Sequence, residues 1–290
     1  VLEALSGLLL GMFVSMLAST VVSTSLPVII HDLDGNQTAF TWVVTATLLT
    51  TAISTPIWGK LADLTNRKAL FQLAIVIFVL ATAAAGFSTN PEMLIAFRAV
   101  QGIGAGGLAA LSQVLMADII SPRERGRYMG LFGAVMAVAT IGGPLLGGVI
   151  TDAWGWRWNF FVALPFAVLA LILVQATLHV PARPKKKTSI DYLGIVLLSA
   201  AVSLLLIWVT NAGTATAGDW SDLANNDWWS LNTVLMLGGA ILAAVLFVIV
   251  ELRSREPLIP LTLFRNRTFT LSVIASIATG IAMFGASVFL

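Results

Sequence analysis

The sequence contains no cysteine. That excludes a disulfide framework, a thiol nucleophile and a cysteine-ligated metal. Charge is nearly as scarce: 10% of the 290 residues are Asp, Glu, Lys or Arg, against ~25% in soluble domains. The histidines, His31 and His179, lie far apart and form no metal pattern, so no metal or other cofactor is expected. There is no P-loop, nucleophile elbow or His-Glu-x-x-His pair, which leaves ATP-driven transport and membrane proteolysis unsupported and gives no reason to expect an enzyme. The ~10-residue alternating segments of a membrane β-barrel are missing too. A formal net charge of +2 gives no sign of a nucleic-acid partner.

What abounds is apolar: 58% of the residues, with a mean hydropathy of +0.94. Nine charge-free runs follow one another: Ala4–His31, Gly35–Gly59, Ala69–Pro91, Ala99–Ala117, Tyr128–Thr151, Trp158–Ala182, Tyr192–Gly218, Trp228–Val250 and Thr268–Leu290. A helix needs ~20 residues to cross the hydrocarbon, and every run is close to that length or longer. Helices satisfy their own backbone groups in lipid, so the expected fold is an all-α membrane bundle of nine spans. Lipids are therefore obligatory partners.

Fourteen of the sixteen basic residues fall in alternate connections: Lys60, Arg67, Lys68; Arg123, Arg125, Arg127; Arg183, Lys185, Lys186, Lys187; Arg253, Arg255, Arg265, Arg267. The opposite connections hold Asp32, Asp34, Glu92, Asp152, Asp219, Asp222 and Asp227, with Arg157 as their one base. The positive-inside rule makes the basic side, and with it the N-terminus, cytoplasmic. Trp220, Trp228 and Trp229 fit an outer aromatic belt.

Composition divides the chain into a six-helix unit over 1–182, a polar linker with two inserted helices over 183–251, and a second linker with one further helix over 252–290. The chain starts at Val1 rather than Met and stops at Leu290 inside an apolar run. It is expected to be part of a longer protein.

Four constellations stand out. In the fourth span, Arg98 and Gln101 share a face at i, i+3, and Gly102 with Gly106 forms a close-packing GxxxG pair. Arg98 lies about 7–8 Å inside the span; two readings stay open, a functional buried charge and a side chain snorkelling to the surface. In the fifth span, Gly142-Gly143-Pro144 and Gly147-Gly148 predict a bend with close packing there and one turn later. Between the second and third spans, Gly59-Lys60-Leu61-Ala62-Asp63 precedes Arg67-Lys68. Asp63 is an acid that a topology loop does not need, and Asp118 ends the fourth span on the same side. Ser15, Ser19, Ser23 and Thr47, Thr51, Thr55 form i, i+4 stripes that either line a mildly polar cavity or bond between helices.

Together these residues resemble the major facilitator superfamily. Gly59 to Asp63 with Arg67-Lys68 is similar to its loop 2–3 signature, Arg98 with Gln101-Gly102 to the helix 4 motif of proton-coupled members, and Gly143-Pro144 with Gly147-Gly148 to the helix 5 antiporter motif. The two inserted helices, Gly155-Trp156-Arg157-Trp158-Asn159-Phe160 and Glu256 to Arg267 resemble the fourteen-spanner drug:proton antiporters. The resemblance implies six N-terminal, two central and six C-terminal helices, of which this chain supplies nine. It also implies proton coupling through Arg98 and Gln101, and a latch built from Gly59, Asp63, Arg67, Lys68 and Asp118. Leu64 stands where that loop often has Arg, Asn66 where it usually has Gly, and Ala18 where many members carry an acid in helix 1.

The expected function is proton-coupled export of drugs or other small amphipathic molecules by alternating access, from a monomer in a plasma membrane of bacterial type. Export of an endogenous lipid or metabolite, and a non-transporting receptor or scaffold on the same fold, are the alternatives.

Overall fold

In a computed structural model of the chain, residues 2–179, 191–211, 230–254 and 257–289 are described. They form α1 (Leu2–Asp32), α2 (Gln37–Leu64), α3 (Arg67–Gly86), α4 (Pro91–Ile119), α5 (Arg125–Trp154), α6 (Trp158–Phe161), α7 (Ala163–Thr177), α8 (Tyr192–Asn211), α9 (Leu231–Arg253) and α10 (Arg267–Phe289), with a 3-10 turn at Leu261–Arg265. No strand occurs among the described residues.

Eight helical stretches among the described residues are long and apolar enough to cross a membrane, α6 and α7 together making one. The ninth expected run falls on α10. The helices overrun the charge-free runs: α4 takes in both Glu92 and Asp118, and α5 starts at Arg125. Charges end a hydrocarbon-compatible run without ending a helix, because terminal turns reach the wet interface. The polar linker that begins at 183, the 182/183 unit boundary and Trp220, Trp228 and Trp229 lie outside the described residues.

Asparagine starts three of the helices. The side chains of Asn36, Asn66 and Asn90 accept the backbone N–H groups of Ala39, Lys68 and Met93 at 2.8, 3.0 and 2.8 Å. Each satisfies a donor that the first turn leaves orphaned. Asn66, at φ −72°, is thus a cap and not a left-handed turn residue.

α4 is the packing centre. It lies between α2 and α3, while α1 packs on α5 and α7. The α4 glycines allow this closeness. A Cβ at Gly106 would meet the Thr51 carbonyl of α2 at 2.8 Å, and one at Gly104 would meet the Phe78 backbone of α3 at 2.6 Å. The core beneath is Leu5, Leu8, Phe71, Leu108, Leu111, Leu115 and Val174. Outer faces carry exposed Leu80, Ile141 and Val149. α8 and α9 pair as a hairpin, and α8 rests on α2.

Candidate translocation cleft and latch

A cleft of about 220 Å³ opens among α1, α2, α3, α4 and α5. Ser15 and Ser19 come from α1, Thr47 and Thr51 from α2, Arg98 and Gln101 from α4. Ser23 and Thr55 do not line it. They hydrogen-bond within their own helices, to Ser19 O at 2.9 Å and Thr51 O at 2.7 Å. A stripe of every fourth residue drifts about 40° per step on a helix of ~3.6 residues per turn, so its third member leaves the face. Thr47 and Thr51 take both expected roles, since they also donate across to Arg98 O and Gly102 O at 3.2 and 3.1 Å.

Arg98 does not snorkel. It is 3% exposed, and its Nη1 donates to Gln101 Oε1 at 2.6 Å. Gln101 Nε2 donates in turn to Thr82 Oγ1 at 2.8 Å, and Thr82 to Phe78 O at 2.6 Å. Partners one turn away hold the guanidinium inside the bundle. A larger apolar groove, about 550 Å³ between Leu146, Trp154 and Trp158, shares no residue with the cleft and offers no comparable polar side chain to orient a solute.

The antiporter-like glycines divide into two faces. A Cβ at Gly147 would meet Val21 O of α1 at 2.9 Å, and one at Gly143 would overlap Thr20 Oγ1. Thr20 itself donates to Ala139 O at 3.1 Å, which draws α1 onto α5. At Gly142 and Gly148 a Cβ would meet nothing within 4 Å. Close packing at Gly148 is therefore not found: the one-residue step from Gly147 turns it ~100° away from α1. α5 stays helical through Pro144.

At the basic end, Arg67 is the hub. Its Nη1 pairs with Asp118, its Nη2 with Asp63 at 3.1 Å, and its Nε donates to Ala62 O at 3.0 Å. The Arg67 and Asp118 side chains are 11% and 9% exposed, that of Asp63 63%. Lys68 stands apart from this cluster, with its Nζ on Gln175 O at 2.9 Å. Gly59 makes no close approach, as a Cβ there would find open space.

Sequence reasoning missed three groups. Thr82, fully buried, carries the Arg98–Gln101 relay on to the Phe78 carbonyl. Asn159, also fully buried, bonds Ser25 of α1 at 2.5 Å and Thr151 of α5 at 2.7 Å. An amide inside an apolar run was the available signal. Glu251 of α9 is 3% exposed, and its Oε1 accepts the Leu258 and Ile259 N–H groups at 3.0 and 3.3 Å. Lys60 Nζ reaches Pro257 O at 3.3 Å, so the 257–259 segment is held between α9 and α2.

Residues 8–290 match the family profile of the Major Facilitator Superfamily. The chain is 35% identical over 285 residues to the "Multidrug transporter protein MdtP" of Bacillus subtilis (strain 168), covering 98% of this chain and 50% of that protein. It is 31% identical over 285 residues to "Efflux pump FUS6" of Gibberella fujikuroi, covering 96% and 49%. The chain spans about half the length of the curated relatives it matches. Among solved structures it resembles the human organic anion transporter MFSD10 with a TM-score of 0.58 at 18% identity, over 75% of this chain and 57% of that one, a likeness of fold alone. With its apolar helices, the match makes this an integral membrane protein. The chain belongs to the Major Facilitator Superfamily.

Proposed function

We propose that this chain is the N-terminal part of a secondary active exporter of small amphipathic molecules, driven by the proton gradient. The single observation that carries the reading is the cleft with buried Arg98 on its wall, tied through Gln101 to Thr82. A guanidinium held inside a bundle is costly, and its hydrogen-bond relay gives protonation elsewhere a route to alter the cleft. The names of two relatives, a multidrug transporter and an efflux pump, favour the same activity and direction.

In this reading residues 1–182 form one half of a rocking pair, 183–251 supply two inserted helices, and 252–290 begin the other half. Binding sites between such halves lie near the midplane. Arg98 and Gln101 couple proton movement to cargo. Asp63, Arg67 and Asp118 latch the cytoplasmic end, and Gly143 and Gly147 keep α5 close to α1. The working unit is a monomer in a bacterial cytoplasmic membrane, with the N-terminus inside.

The full-length protein, reconstituted in proteoliposomes with an imposed proton gradient, should drive uptake of an amphipathic fluorophore into inverted vesicles. A protonophore should abolish it. Gradient-independent flux would reject coupling, and absence of flux for a panel of amphiphiles would favour a receptor or scaffold.

A further inference from the structure

Among the described residues Arg98 has no counter-charge, and its Nε has no hydrogen-bond partner. The relay from Nη1 runs through neutral Gln101 and Thr82 and ends on the Phe78 carbonyl. No Asp or Glu among the described residues lines the cleft. Ala18, at the helix 1 position where an acid is often found, is 1% exposed and packed into the core away from the cleft wall.

Charges withdrawn from water are normally paired, because an ion stripped of its hydration and left unpaired is costly. Here the wall offers one fixed cation, the hydroxyl-bearing Ser15 and Ser19, and a soft apolar surface of Met12, Met16 and Met136. Methionine adapts to ligands of varied outline. The guanidinium fork matches the oxygens of a carboxylate, sulfonate or phosphate better than any neutral group.

We propose that the cargo of this transporter is an amphipathic anion whose acidic head pairs with Arg98 while its apolar body lies on the methionines. The inference rests on the transport reading and narrows its substrate class. Arg98 then serves specificity as well as coupling.

The test is equilibrium binding to the purified full-length protein in a neutral detergent. Three probes share one ring system and differ in the head: naphthylacetate, naphthylacetamide and naphthylethylammonium. Naphthylacetate should bind at least tenfold tighter than the amide, and the ammonium probe weakest. Arg98→Gln should erase the order, and Arg98→Lys should keep it with a smaller ratio. Displacement of naphthylacetate by lysophosphatidate would assign the anion to a lipid head, and its absence to a soluble acid; either supports an acidic head at Arg98. Tighter binding of the ammonium probe by the unaltered protein overturns the proposal, even if neither variant folds. Equal loss of all three probes in Arg98→Gln overturns it as well, because it makes Arg98 a scaffold residue. Anion preference without proton-driven flux would instead reject the transport reading and leave the anion site standing.

Discussion

Alanine at Gly147 and alanine at Gly148 should differ sharply, although the two residues are neighbours on one helix. Both substitutions raise helix propensity by the same ~1 kcal/mol, so the comparison cancels that gain. What remains is steric. At Gly147 the new Cβ would sit 2.9 Å from Val21 O and 3.2 Å from Val21 Cα, which are backbone atoms and yield only if α1 moves. At Gly148 it meets nothing within 4 Å. Overpacking of a tight contact costs ~1–3 kcal/mol, and thermal midpoints of proteins this size move by about 2–4 °C per kcal/mol. Gly147→Ala should therefore melt several degrees below Gly148→Ala in detergent. If the α1–α5 seam differs between conformational states, a bias of ~1.4 kcal/mol changes their ratio tenfold, and proton-driven flux should fall in Gly147→Ala alone. Gly143→Ala against Gly142→Ala repeats the test one turn away. Equal midpoints and equal flux in the two members of each pair would refute the close-contact reasoning.

Arg98→Ala should abolish coupled flux at near-normal expression, and Arg98→Lys should rescue it poorly for want of a planar fork; full flux in the alanine variant would remove Arg98 from the mechanism. Asp118→Asn should open the cytoplasmic end far more than Asp63→Asn, since removing a buried partner costs up to about 3–5 kcal/mol and an exposed one ~0–1 kcal/mol. Electron-spin distance measurements between loops of the two halves would read this, and the reverse order would reject Arg67–Asp118 as the inner bond of the latch. Asn159→Leu should destabilise the fold by ~1–3 kcal/mol, the net worth of the two amide hydrogen bonds to Ser25 and Thr151, and so lower the thermal midpoint; an unchanged midpoint would make the α1–α5–α6 knot incidental. Glu251→Leu should release the 257–259 segment and speed tryptic cleavage after Arg253, and an unchanged cleavage rate would mean that other contacts hold it.

Contacts that need no knowledge of helix rotation were legible in the sequence. Arg98 and Gln101 lie three residues apart on one helix, and Asp63 and Arg67 flank a single tight turn between α2 and α3, so the local chain alone brings each pair together. The spans were legible because lipid tolerates few alternatives to an apolar helix. Contacts that depend on how one helix is turned against another were not. Thr82 reaches Gln101 across 19 residues and Asn159 reaches Ser25 across 134, and no spacing rule links them. Ser23 and Thr55 failed for the same reason, because period-four stripes and a period-3.6 helix part company after one turn. Lys68 was grouped with the latch through the loop 2–3 resemblance, yet its position on α3 turns it to Gln175 of α7.

The geometry also connects the two candidate sites through one rigid element. Arg98 and Asp118 both belong to α4, twenty residues or ~30 Å apart along its axis. Between them Gly102, Gly104, Gly106 and Gly107 sit so close to α2 and α3 that a single added carbon at any of them would clash. A helix wedged this tightly moves with its neighbours as a body, because packed interiors transmit displacement and absorb little of it. Breaking or making the Arg67–Asp118 pair at one end must then be felt at Arg98 in the cleft, with no chain of intermediate side-chain switches. Coupling carried by a rigid α4 predicts that glycine substitutions along it change the communication between latch and cleft even though none of them touches cargo or proton.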